Sequence, residues 1–227
     1  MKMMMNTHNH PMSNIKTALQ MQGCFFTEIC KRSIAFFTKF WYNKKIMDRL
    51  KSKVTGRGKS ILAEQNIIIR PLEERDLPIL TRWQSPEFRG AFQECQMESE
   101  IERKNQLMEN GFCTPQFQML MIEEDEVASG LIYLNFVREG LVRLGLVLDP
   151  KARGNHLGSR ALMLCRDYLL DNFPVVRLEA DTDIDNIAAQ KVLERCGFCA
   201  EGVLRKYRFH HGSYHDSYLY SYIRESY

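Results

Sequence analysis

Apolar residues from residue 66 onward follow two repeats, an alternating one that is typical of strands and a three-to-four-residue one that is typical of helices. The clearest strand signal, Leu141 to Leu148, stops at Asp149-Pro150, and apolar residues at helical spacing follow it. Strands are predicted at 67–70, 116–123, 127–136, 141–148, 175–180, 201–211 and 214–223, and helices at 73–83, 98–109, 161–170 and 186–196. This order predicts an α/β (α+β) domain that ends in a hairpin with the loop Gly212-Ser213.

The segment from Asp149 to Leu162 connects a predicted strand to a predicted helix. Amide groups and the positive end of the helix dipole favour an anion at such a place. Gly154 and Gly158 allow a large anion to approach the main chain closely. The sequence therefore predicts an anion-binding loop.

Charge divides the chain near Glu64. Residues 1–65 carry twelve Lys and Arg against three Asp and Glu, whereas residues 66–227 carry nineteen against twenty-five. We interpret residues 1–65 as a basic N-terminal extension, partly helical or disordered, and residues 66–227 as the folded domain. A basic amphipathic helix at 29–54 would contact a membrane or RNA, pack on its own domain, or belong to a loosely ordered tail. No DNA contact is expected.

No apolar run reaches the roughly 18 residues that cross a bilayer. The seven cysteines lack disulfide-framework spacing, which indicates reduced thiols and a cytoplasmic protein.

Four short motifs, in order and at ordinary spacing, resemble the GNAT superfamily of acyl-CoA-dependent N-acetyltransferases. Arg153-Gly-Asn-His-Leu-Gly158 resembles the signature (Q/R)-x-x-G-x-G/A, with His156 at its first glycine, and Asn186 with Val192 to Phe198 matches the segment N-x-x-A/S…LEKxGF. The stretches 201–205 and 212–225 resemble the ending of the branch that holds ribosomal-protein N-terminal and spermidine acetyltransferases, and several antibiotic-acetylating enzymes. The resemblance covers about residues 66–225 and implies a mixed, mostly antiparallel sheet flanked by helices.

The resemblance implies acetyl-CoA as cosubstrate, with its pyrophosphate on the amides of the glycine loop. Its peptide-like pantetheine arm would pair with strand 144–148, which would splay apart from strand 175–180. Asn186 would touch that arm, or it is a helix N-cap. The predicted cofactor-binding residues are Leu146, Val147, Leu148, Arg153, Gly154, Asn155, His156, Leu157, Gly158, Ser159 and Asn186.

Aminolysis of a thioester needs a proton acceptor for the amine and a donor for the carbonyl oxygen. Glu179 is the predicted general base, because related protein-acetylating members carry glutamate there, and a main-chain amide at Val147 or Leu148 would serve as the donor. The alternative for Glu179 is an ion-paired surface residue. The acidic run Asp181, Asp183 and Asp185 either attracts a cationic acceptor or forms a solvated loop, and we favour the loop.

This chain departs from the family where proton donors are expected. Leu193 stands where many members have a tyrosine, and Ala189 and Arg208 stand where some ribosomal-protein acetyltransferases have serine and glutamate. Four tyrosines are alternative donors, or they are ordinary sheet residues: Tyr207, Tyr214, Tyr218 and Tyr220.

No metal site is predicted. Cys196-Gly-Phe-Cys199 has no second pair at zinc spacing, and His210, His211 and His215 straddle a turn, with neighbouring histidines on opposite faces of a strand.

The leading functional hypothesis is an N-acetyltransferase that acts on a primary amine of a protein N-terminus, a polyamine or a small molecule. The alternatives are a catalytically inactive acyl-CoA-binding module and a self-resistance or biosynthetic acyltransferase acting on an antibiotic amine. A homodimer is possible, since the branch pairs its sheets.

Overall fold

The protein is described here from a computed structural model, which covers residues 62–64, 66–85, 88, 90–92 and 98–225. The eight strands are β1 Leu62–Glu64, β2 Ile67–Pro71, β3 Phe117–Glu124, β4 Val127–Arg138, β5 Leu141–Leu148, β6 Arg177–Asp183, β7 Cys199–His210 and β8 Ser213–Ile223. The helices are α1 Leu77–Trp83, α2 Glu100–Asn110, α3 Leu157–Asn172 and α4 Ile187–Arg195, with short 3₁₀ turns at Glu74–Asp76, Gly90–Phe92 and Pro150–Ala152. None of these helices is long and apolar enough to cross a membrane.

All eight strands form one sheet in the order β1-β2-β3-β4-β5-β6-β8-β7. Every neighbouring pair is antiparallel except β5 and β6, which run parallel. The parallel pair is short, with register only from Leu141↔Arg177 to Arg143↔Glu179. The predicted mixed, mostly antiparallel sheet flanked by helices is thereby confirmed.

The predicted elements agree closely with the structure, and the differences lie at turns. The last hairpin turns at His211-Gly212, whose φ angles of 49° and 78° are both positive, so the predicted loop Gly212-Ser213 is one residue too late. The strand predicted at 175–180 begins and ends later, at Arg177–Asp183. The sheet already includes β1, which lies just before the predicted domain start at residue 66. The helix predicted at 29–54 lies outside the described residues.

Each face of the sheet carries its own apolar core because alternate strand residues point to opposite sides. On one face, Ile132 and Leu144 pack with Leu162 and Leu169 of α3. On the other face, Met121 and Leu131 pack with α1 and its flanks through Leu72, Leu80 and Trp83. The central strands therefore hold α3 on one side and α1 on the other.

A buried ion cluster joins β2, β3 and the turn before α1. Arg70 donates to both carboxylate oxygens of Asp76 at 2.7 and 2.8 Å and to Glu123 Oε1 at 2.6 Å. The side chains of Arg70 and Asp76 are only 2% and 1% exposed. Burial alone would lower the pKa of Arg70, but its bonds to the two carboxylates outweigh burial and raise that pKa. Asp76 also accepts from the Glu73 amide at 2.8 Å, so it fixes the start of α1 as well.

Removing one partner from this cluster should strongly destabilise the protein, because the remaining charges stay buried. We expect Asp76→Asn to lower the free energy of unfolding by about 3–5 kcal/mol. The control is Glu74→Gln, which removes an exposed contact with Lys104 at 3.7 Å and should cost less than about 1 kcal/mol. Urea unfolding followed by circular dichroism measures both, and equal losses for the two variants would contradict the stabilising role of the cluster.

Candidate active site

A slot opens where β5 and β6 stop pairing. Past Arg143 and Glu179 the two parallel strands diverge, while β5 stays paired with β4 as far as Leu148. A cleft of about 1630 Å³ follows this opening and includes Leu144, Leu148 and Ala180 in its walls. The splayed strands that the resemblance implies are thus present.

The glycine loop stands at the mouth of the slot. Trp83 Nε1 donates to Asp149 at 2.9 Å, which ties the end of β5 to α1. Gly154 has φ 91° and His156, the N-cap residue of α3, has φ 61°, so the chain turns sharply into the helix. The first helical turn begins at Leu157, where amides have no intrahelical acceptor. This arrangement presents amides and the positive helix end to the cleft.

The predicted cofactor-binding residues divide into main-chain and side-chain candidates. Leu157, Gly158 and Ser159 are buried against the core, so only their main-chain amides are suited to hold an anion. Leu146 and Leu148 pack toward α3, whereas Val147 packs on the opposite face. Asn155 lies in the exposed part of the loop.

Gly158 allows α3 to pack closely on β5. A Cβ atom added there would lie 3.2 Å from Leu146 Cδ2 and 3.4 Å from Leu148 Cδ1. The helix start is thereby held directly over the strand end.

Arg153 fixes the loop rather than presenting a free charge. Its guanidinium donates to the main-chain carbonyl of Leu148 at 3.0 and 3.1 Å and to that of Phe88 at 2.9 Å. It thereby links the end of β5 to Phe88, which lies between α1 and α2 and stacks on Trp83 at 4.6 Å. Any phosphate contact by Arg153 would require giving up part of this bonding.

Two further basic residues lie in the cleft wall beside the loop. Arg195 donates to His156 Nδ1 at 2.6 Å, and Lys191 stands one helical turn earlier on α4. Sequence reasoning missed both because it followed the glycine loop and not the opposite helix. Their spacing of four residues within a helix was the available signal.

Asn186 serves as a helix cap and also lines the cleft. Its Oδ1 accepts from the Ala189 amide at 3.2 Å at the start of α4. The N-cap alternative is therefore observed, and contact with a bound molecule stays a prediction.

Glu179 lies at the vertex of the slot, the point at which β5 and β6 begin to diverge, and two arginines bond its side chain. Arg143 donates to it at 2.9 Å and Arg177 at 2.7 Å. Burial alone would raise the pKa of Glu179, but these hydrogen bonds outweigh burial and lower that pKa. Arg143 lines the cleft, and Glu179 stands behind it. The carboxylate is therefore ionised at neutral pH, but it is a weak base.

The solvated loop that we favour for the acidic run is confirmed only at Asp185, which is exposed in the turn after β6. Asp181 and Asp183 belong to β6 on the same face as Glu179, and their side chains are 8% and 3% exposed. Asp181 accepts from Arg208 Nε at 2.9 Å and lines the cleft. The sequence pattern was ambiguous because Arg208, the partner of Asp181, lies 27 residues away along the chain.

Tyr207 is the tyrosine best placed among the four candidates. Its hydroxyl oxygen accepts from Arg143 Nη1 at 3.2 Å, and it lines the cleft. Tyr220 instead donates to Glu194, and Tyr214 packs on Phe209. Leu193, which stands where many relatives have tyrosine, is a buried core residue.

Among the described cysteines, two near the cleft are not activated. Burial raises the pKa of Cys165 to about 12 and that of Cys196 to about 11. Cys196 Sγ donates to the carbonyl of Ser159 at 3.4 Å, which ties α4 to the first turn of α3. Cys199, the second cysteine of the Cys196-Gly-Phe-Cys199 motif, is exposed on β7. Only Cys196 of that motif is therefore buried in the core.

Comparison with known proteins places the chain among acetyltransferases. The family described as "Acetyltransferase (GNAT) domain" matches residues 66–199. The uncharacterized N-acetyltransferase p20 of Bacillus licheniformis is 26% identical over 178 residues, which are 73% of this chain and 97% of that protein.

Solved structures share the fold at lower identity. A RimL ribosomal L7/L12 α-N-protein acetyltransferase in complex with coenzyme A has a TM-score of 0.65 and 19% identity, covering 73% of this chain and 98% of its own. A spermidine N-acetyltransferase from Vibrio cholerae, in complex with CoA and spermine, has a TM-score of 0.63 and 18% identity, covering 70% and 96%.

Proposed function

This chain belongs to the GNAT acetyltransferase family, and from that premise we propose that it transfers the acetyl group of acetyl-CoA to a primary amine by direct attack. We further propose that the preferred acceptor is the α-amino group of a peptide or protein N-terminus. The observation that carries the proposal is the open slot between β5 and β6 with the glycine loop at its mouth.

The glycine loop and α4 supply what a pyrophosphate requires. Amides at the start of α3 offer hydrogen bonds, and the helix end offers a positive potential. Arg195 and Lys191 add two positive charges on the facing wall. A guanidinium can bond phosphate oxygens in a bidentate manner, so Arg195 would exchange its bond to His156 for a stronger one.

The unpaired side of β5 fits the pantetheine arm. Beyond Arg143 that strand has no partner on the β6 side among the described residues. An extended, amide-containing arm would add there as an edge strand, which directs the thioester toward the vertex. A main-chain amide at Val147 or Leu148 would then stabilise the negative charge that develops on the carbonyl oxygen.

The charges of the cleft favour an amine that is already partly neutral. Among the described residues that line the cleft, the acidic ones are Glu98 and Asp181, and each is paired with an arginine. A polycation would therefore meet little uncompensated negative charge. An α-amino group has a pKa of about 7.7–8.0, so roughly a tenth of it is neutral at pH 7, whereas an amine of pKa about 10.4 is almost wholly charged.

Proton transfer can then proceed with a weak base and a weak acid. The amine nitrogen forms a bond to the thioester carbon, and the bond from that carbon to sulfur breaks. Glu179 takes the amine proton through a water, and Tyr207 donates a proton to the leaving thiolate. Arg143 contacts both side chains, so it would hold donor and acceptor in register.

Acceptor profiling tests the function directly. With acetyl-CoA, a peptide with a free α-amine should release thiol with a kcat/KM at least about tenfold above that for spermidine, because more of its amine is neutral. The matched control is the same peptide with a blocked N-terminus and a free lysine. Preference for spermidine or for an amine-bearing antibiotic would refute the acceptor assignment. Tight CoA binding without thiol release from any amine would indicate a binding module.

Replacing the proposed base should slow turnover without affecting cosubstrate binding. We expect Glu179→Gln to lower kcat by about 100-fold, the usual contribution of a general base. Asp181→Asn, a change of the same kind two residues along β6, should cost less than about tenfold. Thermal unfolding and CoA calorimetry on both variants control for loss of the arginine pairs. The opposite ranking would move the role to Asp181.

The pH profile of the unmodified enzyme should reflect the amine. Since the pKa of Glu179 is lowered, its carboxylate is ionised throughout pH 6–8. Its titration therefore causes no change in kcat/KM in that range. We expect kcat/KM to rise about tenfold per pH unit and to level near pH 8, where an α-amine is half neutral.

The phosphate role of Arg195 predicts a change in KM. Arg195→Gln should raise KM for acetyl-CoA by at least about tenfold at unchanged kcat, since hydrogen bonds to charged groups contribute roughly 1.5–3 kcal/mol. The control is Lys151→Gln, which removes the same charge from an exposed position beside the loop, outside the cleft lining. Equal KM values for the two variants would exclude Arg195 from cosubstrate binding.

A further inference from the structure

Three titratable side chains meet at the outer end of β6, away from the acetyl-transfer chemistry. Asp183 ends β6, His210 ends β7, and His215 lies in β8. One ligand atom of each residue lies within 4.8 Å of those of the other two. The side chains of Asp183 and His210 are 3% and 5% exposed, so the cluster is largely removed from water.

Strand register explains why the sequence did not reveal this cluster. His215 pairs with Arg208 and Ser217 pairs with Asp183, and paired residues share a face. His210 is two residues beyond Arg208 and therefore shares that face too, whereas its neighbour His211 does not. The alternation argument does not apply to His211, which lies in the turn with φ 49°, and it missed the diagonal partner His215 across that turn.

The donor atoms resemble a prepared ligand set. His210 Nε2 bonds Asp183 Oδ2, while its buried Nδ1 has no partner within the described part of the chain. His215 Nε2 bonds Ser213 Oγ at 2.8 Å, which leaves its Nδ1 as the ligand nitrogen. Ser217 Oγ donates to Asp183 Oδ1 at 3.5 Å. The bonds from Ser213 and Ser217 are outer bonds of the kind that orient histidine and carboxylate ligands around a metal ion, whereas the bond between His210 and Asp183 joins two proposed ligands and would be replaced by the ion.

We propose that Asp183, His210 and His215 form a binding site for a divalent transition metal, with Zn²⁺ as the preferred ion. Two imidazoles and one carboxylate are a common zinc set and leave a fourth position for water. The two rings stack at 3.9 Å with an angle of 6° between their planes, so binding would require them to rotate out of this stack until their in-plane lone pairs meet one ion.

The charge balance permits a cation at this site. Arg208 Nε lies 3.9 Å from Asp183 Oδ1, but the guanidinium makes its hydrogen bonds with Asp181. The two aspartates and one arginine therefore leave one net negative charge, which a divalent ion would compensate.

A bound ion would lie beside one wall of the cleft. It would join β6, β7 and β8, and Arg208 with Asp181 line the cleft directly beside it. We infer that metal occupancy fixes this wall by holding the last hairpin against β6. The inference does not depend on acetyl transfer and holds for an inactive protein as well.

Metal titration of the full chain tests the proposal. Zn²⁺ binding by calorimetry, and Co²⁺ binding by visible absorption, should show one site that His215→Ala weakens by at least about 100-fold, since even outer-shell changes cost about 10–100-fold. Zn²⁺ should also raise the unfolding temperature of the unmodified protein but not that of this variant.

The matched control is His211→Ala, which removes an adjacent exposed imidazole outside the cluster and should bind as tightly as the unmodified chain. Because buried substitutions can unfold the protein, Asp183→Asn is judged only after circular dichroism confirms a native spectrum. Equal affinity in the His211 and His215 variants, thiolate-type Co²⁺ absorption, or no binding to the unmodified chain would each overturn the proposal.

Discussion

The end of pairing between β5 and β6 after Arg143 and Glu179 is the constraint on which the site depends. Parallel strands normally continue their hydrogen bonds, and an unpaired main chain inside a protein carries a cost unless water or a ligand satisfies it. Here both strands belong to the core under α3, through Leu144 of β5 and Ala180 of β6, whereas the core under α1 includes Val147 of β5 and, among the described residues, no residue of β6. The opening therefore leaves a stretch of β5 main chain unpaired, which is what the proposed pairing with a peptide-like arm would satisfy.

The elements around this opening could be predicted from the sequence because their signals are local. Leu141 to Leu148 reads as a strand with a stop, and the glycine loop reads as a strand-to-helix turn, and both are found where they were expected. The error at the last hairpin is also local, since His211 was not recognised as a residue with positive φ. Local patterns thus identify elements well and misplace turns by about one residue.

The partners of the charged residues could not be predicted because they come from distant strands. Asp181 appeared to be part of a solvated run, yet Arg208, 27 residues away, buries and neutralises it. Arg153 bonds the carbonyls of Leu148 and Phe88, partners that its motif did not indicate, and its contact with a cosubstrate stays a prediction. Motifs specify which residue types are present, but only strand register decides which charges are already compensated.

The pairing of these carboxylates with basic residues affects the chemistry more than the identity of any single base does. Glu179, Asp181 and Asp183 form one row along β6, and each is held by arginine or histidine from β5, β6 or β7. A row of free carboxylates would attract polycations and accept protons readily, whereas a row paired in this way attracts polycations less strongly and is a weaker base. This pairing is the basis of the preference that we propose for a weakly basic amine. Arg208, which stands where some ribosomal-protein acetyltransferases have glutamate, pairs with Asp181 and so supports the proposal that the acceptor supplies its own neutral nitrogen.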